Sequence, residues 1–139
     1  MAAMTAAEFR VLRDRLGLTW RDLATMLDRN ERTIARWEAG TTWISDRSAA
    51  DLRALDAATA DFIEQTVDNL LAGDLAAEGW LVVYRTTADL HEAWPDVTYP
   101  ASWHRAAMGR VAERVPGARL RYLDEILDDE GDRDDKDHQ

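Results

Sequence analysis

The first forty residues carry helix punctuation at a spacing that leaves almost no free loop, and nothing else in the chain constrains its fold so tightly. Thr5 followed by Glu8 is a capping box, in which hydroxyl and carboxylate each satisfy the other residue's backbone N–H, with Met4 and Phe9 as the apolar staple across it. Phe9, Leu12 and Leu16 then share one helical face, and Gly17 stands where a helix stops. Thr19 with Asp22 repeats the box in an Asp form, Leu18 and Leu23 make a second staple, and Leu23, Ala24 and Leu27 line a second helix. Asp28-Arg29-Asn30 is a turn and Asn30 a good N-cap. A third helix follows, with Ile34 and Trp37 turned inward and Gly40 closing it. Helices this short are marginal alone, so the three must pack on one another.

Beyond a Thr41–Ser45 connection, Leu52, Leu55, Phe62, Ile63, Val67, Leu70 and Leu71 recur at helical spacing from about Asp46 to Ala72, opposite an acidic face of Asp51, Asp56, Asp61, Glu64 and Asp68. Gly73 and Gly79 bracket the exit. Trp80–Tyr84 is short, apolar and rich in strand formers. Thr86–Trp94 reads as a short helix stopped by Pro95, Ser102–Val115 as a longer one, and Ala118–Leu123 as a second strand after the Pro116-Gly117 turn. Two strands alone make a marginal sheet, so the long helix or a second copy of the chain is expected to complete it. From Asp124 the sequence is acidic with few hydrophobes, and disorder is expected beyond about Asp128. The expected segments are 1–72, 73–124 and 125–139.

With 139 residues and no cysteine, the chain suits one domain or two very small ones, without disulfides or thiolate sites. No apolar run approaches the ~18 residues of a membrane span, and residues 1–10 hold no signal-peptide core. A cytoplasmic location follows as the expectation. The net charge of −10 argues against nucleic acid until its distribution is considered. Residues 1–47 hold eight arginines against seven acids, whereas residues 124–139 hold nine acids against two bases, so the negative charge is concentrated away from the N-terminal helices. All but one of the seventeen basic residues are arginines, the side chain best shaped to fork onto phosphates and guanine edges.

The run from Phe9 to Gly40 resembles the helix-turn-helix of phage repressors and Cro. Arg13, Leu16-Gly17-Leu18-Thr19, Leu23-Ala24, Ile34 and Trp37-Glu38-Ala39-Gly40 carry the resemblance without a gap. It implies that the second helix lies across the DNA backbone while the third enters the major groove N-terminus first. Arg32 and Arg36 are then the base readers, able to chelate guanine O6 and N7. Glu31 is placed to accept from a cytosine amine or to repel wrong bases, and Arg29, Asn30 and Thr33 to meet phosphates or nearby base edges. The rival reading of these arginines is a solvated face held in ion pairs with Glu31 or Glu38. Arg13 and Glu38 occupy positions that pair across the first and third helices in this family. Trp20 departs from the polar residue usual there; its indole N–H suits either a phosphate or packing at the core rim. Trp43 suits core cover or a backbone contact.

The remainder resembles, on Leu81–Tyr84, Trp94-Pro95, Trp103-His104-Arg105 and Gly117–Leu120, the anti-CRISPR-associated autoregulators, whose second half is a dimerisation domain. That implies a mainly α fold: an N-terminal helix-turn-helix bundle, a long helix, and a small α/β dimerisation region with two short strands. Trp80, Val82, Tyr84, Trp103, Ala107 and Val111 are the expected dimer surface. Nothing matches the metal, nucleophile or phosphate-loop motifs of enzymes, and no cofactor is expected. The sequence thus reads as a homodimeric repressor of double-stranded DNA acting on an inverted repeat, autoregulating its own operon. The alternatives are an antitoxin that also binds a toxin encoded nearby, and a protein-interaction adaptor without DNA binding.

Overall fold

All three N-terminal helices begin and end at the residues whose chemistry marks them. The structure, a computed structural model, describes residues 3–74 and 79–137. Helix α1 (Ala6–Leu16) starts from Thr5 through the reciprocal box with Glu8, and α2 (Trp20–Leu27) starts from Thr19 through the same box with Asp22. Helix α3 (Glu31–Ala39) is capped by Asn30, whose Oδ1 accepts from the N–H and the Oγ1 of Thr33 at 2.8 and 2.9 Å. Gly17 and Gly40 take the left-handed conformation at the C-termini of α1 and α3; Asp28 does so for α2, at φ 54°. An aspartate tolerates that region better than most residues because its short side chain can bond locally.

The chain divides into two compact units, Met1–Glu64 and Gln65–Gln139, with the division inside α4 (Asp46–Asn69) rather than at residue 72. In the first unit Phe9, Leu16, Leu23, Ile34 and Leu52 are all but inaccessible, and Phe9 meets Trp37 edge to face with ring centroids 6.0 Å apart. Both members of each staple, Met4 with Phe9 and Leu18 with Leu23, are buried. Ser45 caps α4, accepting from the Ser48 N–H at 3.1 Å.

In the second unit α4 ends in a π-helical turn, Leu70–Asp74, with Gly73 at φ 110°. Strand β1 (Trp80–Val83) and strand β2 (Arg119–Tyr122) pair in parallel, with Trp80 opposite Arg119 and Val83 opposite Tyr122. A parallel pair needs a crossover; here it is α5 (Thr87–Ala93) and α6 (Ala101–Arg114). The entry to β1 requires a glycine. Gly79 has φ 75°, and a Cβ there would lie 2.9 Å from the Gly117 carbonyl oxygen. Its own carbonyl accepts from the Arg119 N–H at 2.9 Å, which sets the strand register.

Two expectations change at this level. Tyr84, Trp103, Ala107 and Val111, expected on a dimer surface, are each buried in the chain's own core. The second unit is small enough that α6 must spend its whole apolar face covering the sheet and α5. Of the six assigned residues only Trp80 and Val82 remain half-exposed, and Val82 packs against the cluster of Tyr84, Leu90 and Ala101. The acidic segment expected to be disordered is instead helical: β2 runs directly into α7 (Leu123–Asp137). Its first turn places Asp124 and Glu125 where helix N-termini favour acids, and Glu125 accepts from the Tyr122 N–H at 3.0 Å. Asp124 pairs with Arg85 at 2.9 Å and Asp129 with Arg121 at 2.6 Å, tying the helix to its neighbours. The last two residues of that segment lie outside the described residues.

Candidate nucleic-acid interface

The geometry of α3 is set from behind by a single carboxylate. Glu38 is nearly buried, with 7% of its side chain accessible. It accepts from Arg13 twice (Nε at 2.9 Å, Nη2 at 2.6 Å), from Arg10 Nη1 at 2.7 Å and from Trp20 Nε1 at 2.5 Å. Arg13 also donates to the Leu18 carbonyl at 3.1 Å, so the turn between α1 and α2 is held by the same guanidinium. These donors come from α1 and α2 and the acceptor from α3, which fixes the three helices to one another. The donors hold the carboxyl well below the usual range, at about 2, Arg13 contributing most, against an opposing push from burial.

The pair of Arg13 with Glu38 stands where the sequence resemblance put it. Arg10 and Trp20 were not foreseen as partners. Arg10 could have been found, because it lies one turn from Arg13 on the same face of α1. Trp20 could not, because its reach to Glu38 depends on how α2 crosses α3. The Trp20 indole is 43% exposed, but its one donor is occupied within the protein and not free for a phosphate.

The outward face of α3 is the opposite case. Ile34 and Trp37 are buried, while Glu31, Arg32 and Arg36 are exposed. Glu38 is taken by the three donors above, and Glu31 faces Arg21, 3.5 Å from its Nε. With both acids occupied, Arg32 and Arg36 form no ion pair among the described residues, and neither does exposed Arg29. The rival reading, a solvated face held in ion pairs with Glu31 or Glu38, is not what the side chains do. Asn30 and Thr33 bond to each other as a cap, so the Asn30 carbonyl oxygen is committed to the helix start. Trp43 does not cover the core: it is 87% exposed, because its neighbour Ile44 turns inward and closes the core in its place. Thus α3 presents unpaired guanidiniums, with an exposed indole in the loop that follows it.

Residues 9–54, about a third of the chain, match the family model for helix-turn-helix, of the Cro and C1 type. The match runs from the buried Phe9 of α1 through α3 and into the first turns of α4. It supports a DNA-binding transcription regulator resembling phage repressors, a regulator family rather than an enzymatic one. No curated protein matches the chain. Among the described residues, no helix is long and apolar enough to cross a membrane.

Proposed function

We propose that this chain is a sequence-specific transcriptional repressor that binds an inverted-repeat operator as a homodimer and controls its own operon. The observation that carries the reading is the state of Arg32 and Arg36: exposed on the third helix of the matched segment, with Glu31 and Glu38 already paired to other arginines. Guanidiniums left free on a rigidly held helix are suited to fork onto guanine O6 and N7. Arg29 stands at the N-terminal approach to the same helix and meets phosphate; exposed Trp43 lies against the backbone.

Dimerisation belongs to the second unit and uses surface other than the six residues first assigned to it. Leu120, Leu123 and Leu127 on β2 and α7 are 40%, 37% and 55% exposed, and these are the apolar positions a second copy would cover. A two-fold pair then presents two copies of α3 to half-sites about one helical turn apart.

The test is a band shift with the duplex lying upstream of the chain's own gene, at about 100 mM salt, since affinity without a stated salt has no meaning. Specific binding by wild type is expected. Arg36→Ala and Arg32→Ala should each cost about 1–3 kcal/mol on that site and relax preference at one base position per half-site, without lowering the melting temperature. Full, sequence-selective affinity in both variants would remove α3 as the reader.

A further inference from the structure

The docking just proposed lays the start of α2 across the DNA backbone, so a donor on its first turn has to meet phosphate. Trp20 does not offer one, because its N–H is committed to Glu38 at 2.5 Å. Asp22 is an acid closed into the box with Thr19. Between them stands Arg21, the only basic residue of α2, with 87% of its side chain accessible. Its Nε lies 3.5 Å from Oε1 of Glu31, the first residue of α3 and so part of the end that enters the groove. A carboxylate at that end approaches two phosphate backbones of its own sign, and the Arg21 guanidinium is the group that neutralises it. Since Glu31 is itself more than half exposed, the pair is solvated and adds little to stability. It can therefore open readily.

We propose that Arg21 is a DNA-contacting residue that exchanges partners on binding: Glu31 in the free protein, a backbone phosphate in the complex. The exchange releases the Glu31 carboxylate to accept from the exocyclic amine of a cytosine. This rests on α3 entering the major groove. Phosphate contact and base reading are thereby coupled. Opposite a base with no amine to give, Glu31 keeps Arg21, and the phosphate contact is not made.

The experiment measures binding by fluorescence anisotropy over a range of salt, on two probes. One is a duplex selected by the wild-type protein from a random-sequence pool; the other is a mixed-sequence duplex of equal length. Arg21→Ala, Glu31→Gln and the double variant are compared with wild type. Arg21→Ala is expected to weaken the selected duplex by about tenfold and to lower its slope of log affinity against log salt by about one per half-site, with a smaller change on the mixed-sequence duplex, where the phosphate contact is seldom made. Glu31→Gln is expected to tighten the mixed-sequence duplex several-fold and to lose preference for cytosine at one position when sites are reselected. The double variant should bind more tightly than Arg21→Ala alone, because the uncompensated carboxylate is gone. All three should melt with wild type. An unchanged affinity and salt slope in Arg21→Ala, or strict additivity in the double variant, would overturn the proposal while leaving DNA binding intact. If wild type binds neither probe, the DNA-binding reading itself falls, and the exchange falls with it.

Discussion

Residues 1–64 hold their helices together around a charge, and residues 65–139 around aromatic rings. In the first unit the Glu38 carboxylate gathers Arg10, Arg13 and Trp20, and the apolar core packs beside that hub. In the second, Trp103 is 2% exposed with its ring 4.3 Å from that of Tyr99, and the buried His104 lies 5.6 Å from the ring of Tyr84. The charge balance follows the same division. The first unit carries nine basic residues against eleven acids and sequesters one of those acids inside; the second carries eight against sixteen, nine of these in the sequence of α7. A carboxylate drawn inward removes negative charge from the side of the molecule that has to approach a polyanion. The second unit, with twice as many acids as bases, is the less suited of the two to meet DNA.

The largest expected effects come from removing each centre. Glu38→Ala leaves Arg13 partly buried without its partner and should cost about 3–5 kcal/mol, losing DNA binding only as a consequence. Trp103→Ala should cost a similar amount through a cavity in the second unit. Urea unfolding followed by NMR would show the loss confined to residues 1–64 in the one case and 65–139 in the other. A single shared transition in both variants would break the comparison.

Acid should separate the two units next. Burial, and to a lesser degree the neighbouring Arg105 charge, lower the His104 pKa from 6.5 to about 4. The unfolded chain therefore binds that proton first. The stability due to the neutral ring is complete above pH 6.5 and is lost progressively as pH falls to 4, amounting to about 3 kcal/mol. For Glu38 the folded pKa is lowered from 4.5 to about 2. Its contribution is present above pH 4.5 and lost only as pH falls towards 2. Near-UV dichroism should therefore show the second unit loosening before the first, and His104→Asn should abolish the earlier step.

The smallest effect sharpens the contrast from the local side. Thr19→Ala removes the hydroxyl that caps α2 and should cost about 1 kcal/mol, read as a modest drop in the melting temperature of the first unit. The Glu38 hub should survive it, so Trp20 fluorescence should be unchanged below the transition.

How much of this could be read in advance differs between the same two regions. Thr5 with Glu8, Thr19 with Asp22, and Asn30 with Thr33 are contacts between residues three apart, and such contacts follow from local order once the helix forms. The inward places of Ile34 and Trp37, the outward places of Arg32 and Arg36, and the extents of the three short helices were legible for the same reason. What the order of residues could not decide was which side chains meet across elements. That Trp20 gives its N–H to Glu38, that Arg21 faces Glu31, that Trp103, Ala107 and Val111 are consumed by the chain's own core, and that β1 and β2 run parallel all depend on helix crossings and on a crossover long after the first strand. The acidic tail shows the same limit: its composition argues for disorder, but Arg85, from the bend after β1, and Arg121, from the preceding strand, pair with its first turns. Periodicity and capping are properties of neighbours along the chain, and they set the elements; pairing between charges and between apolar faces is a property of neighbours in space, and only the tertiary fold selects it.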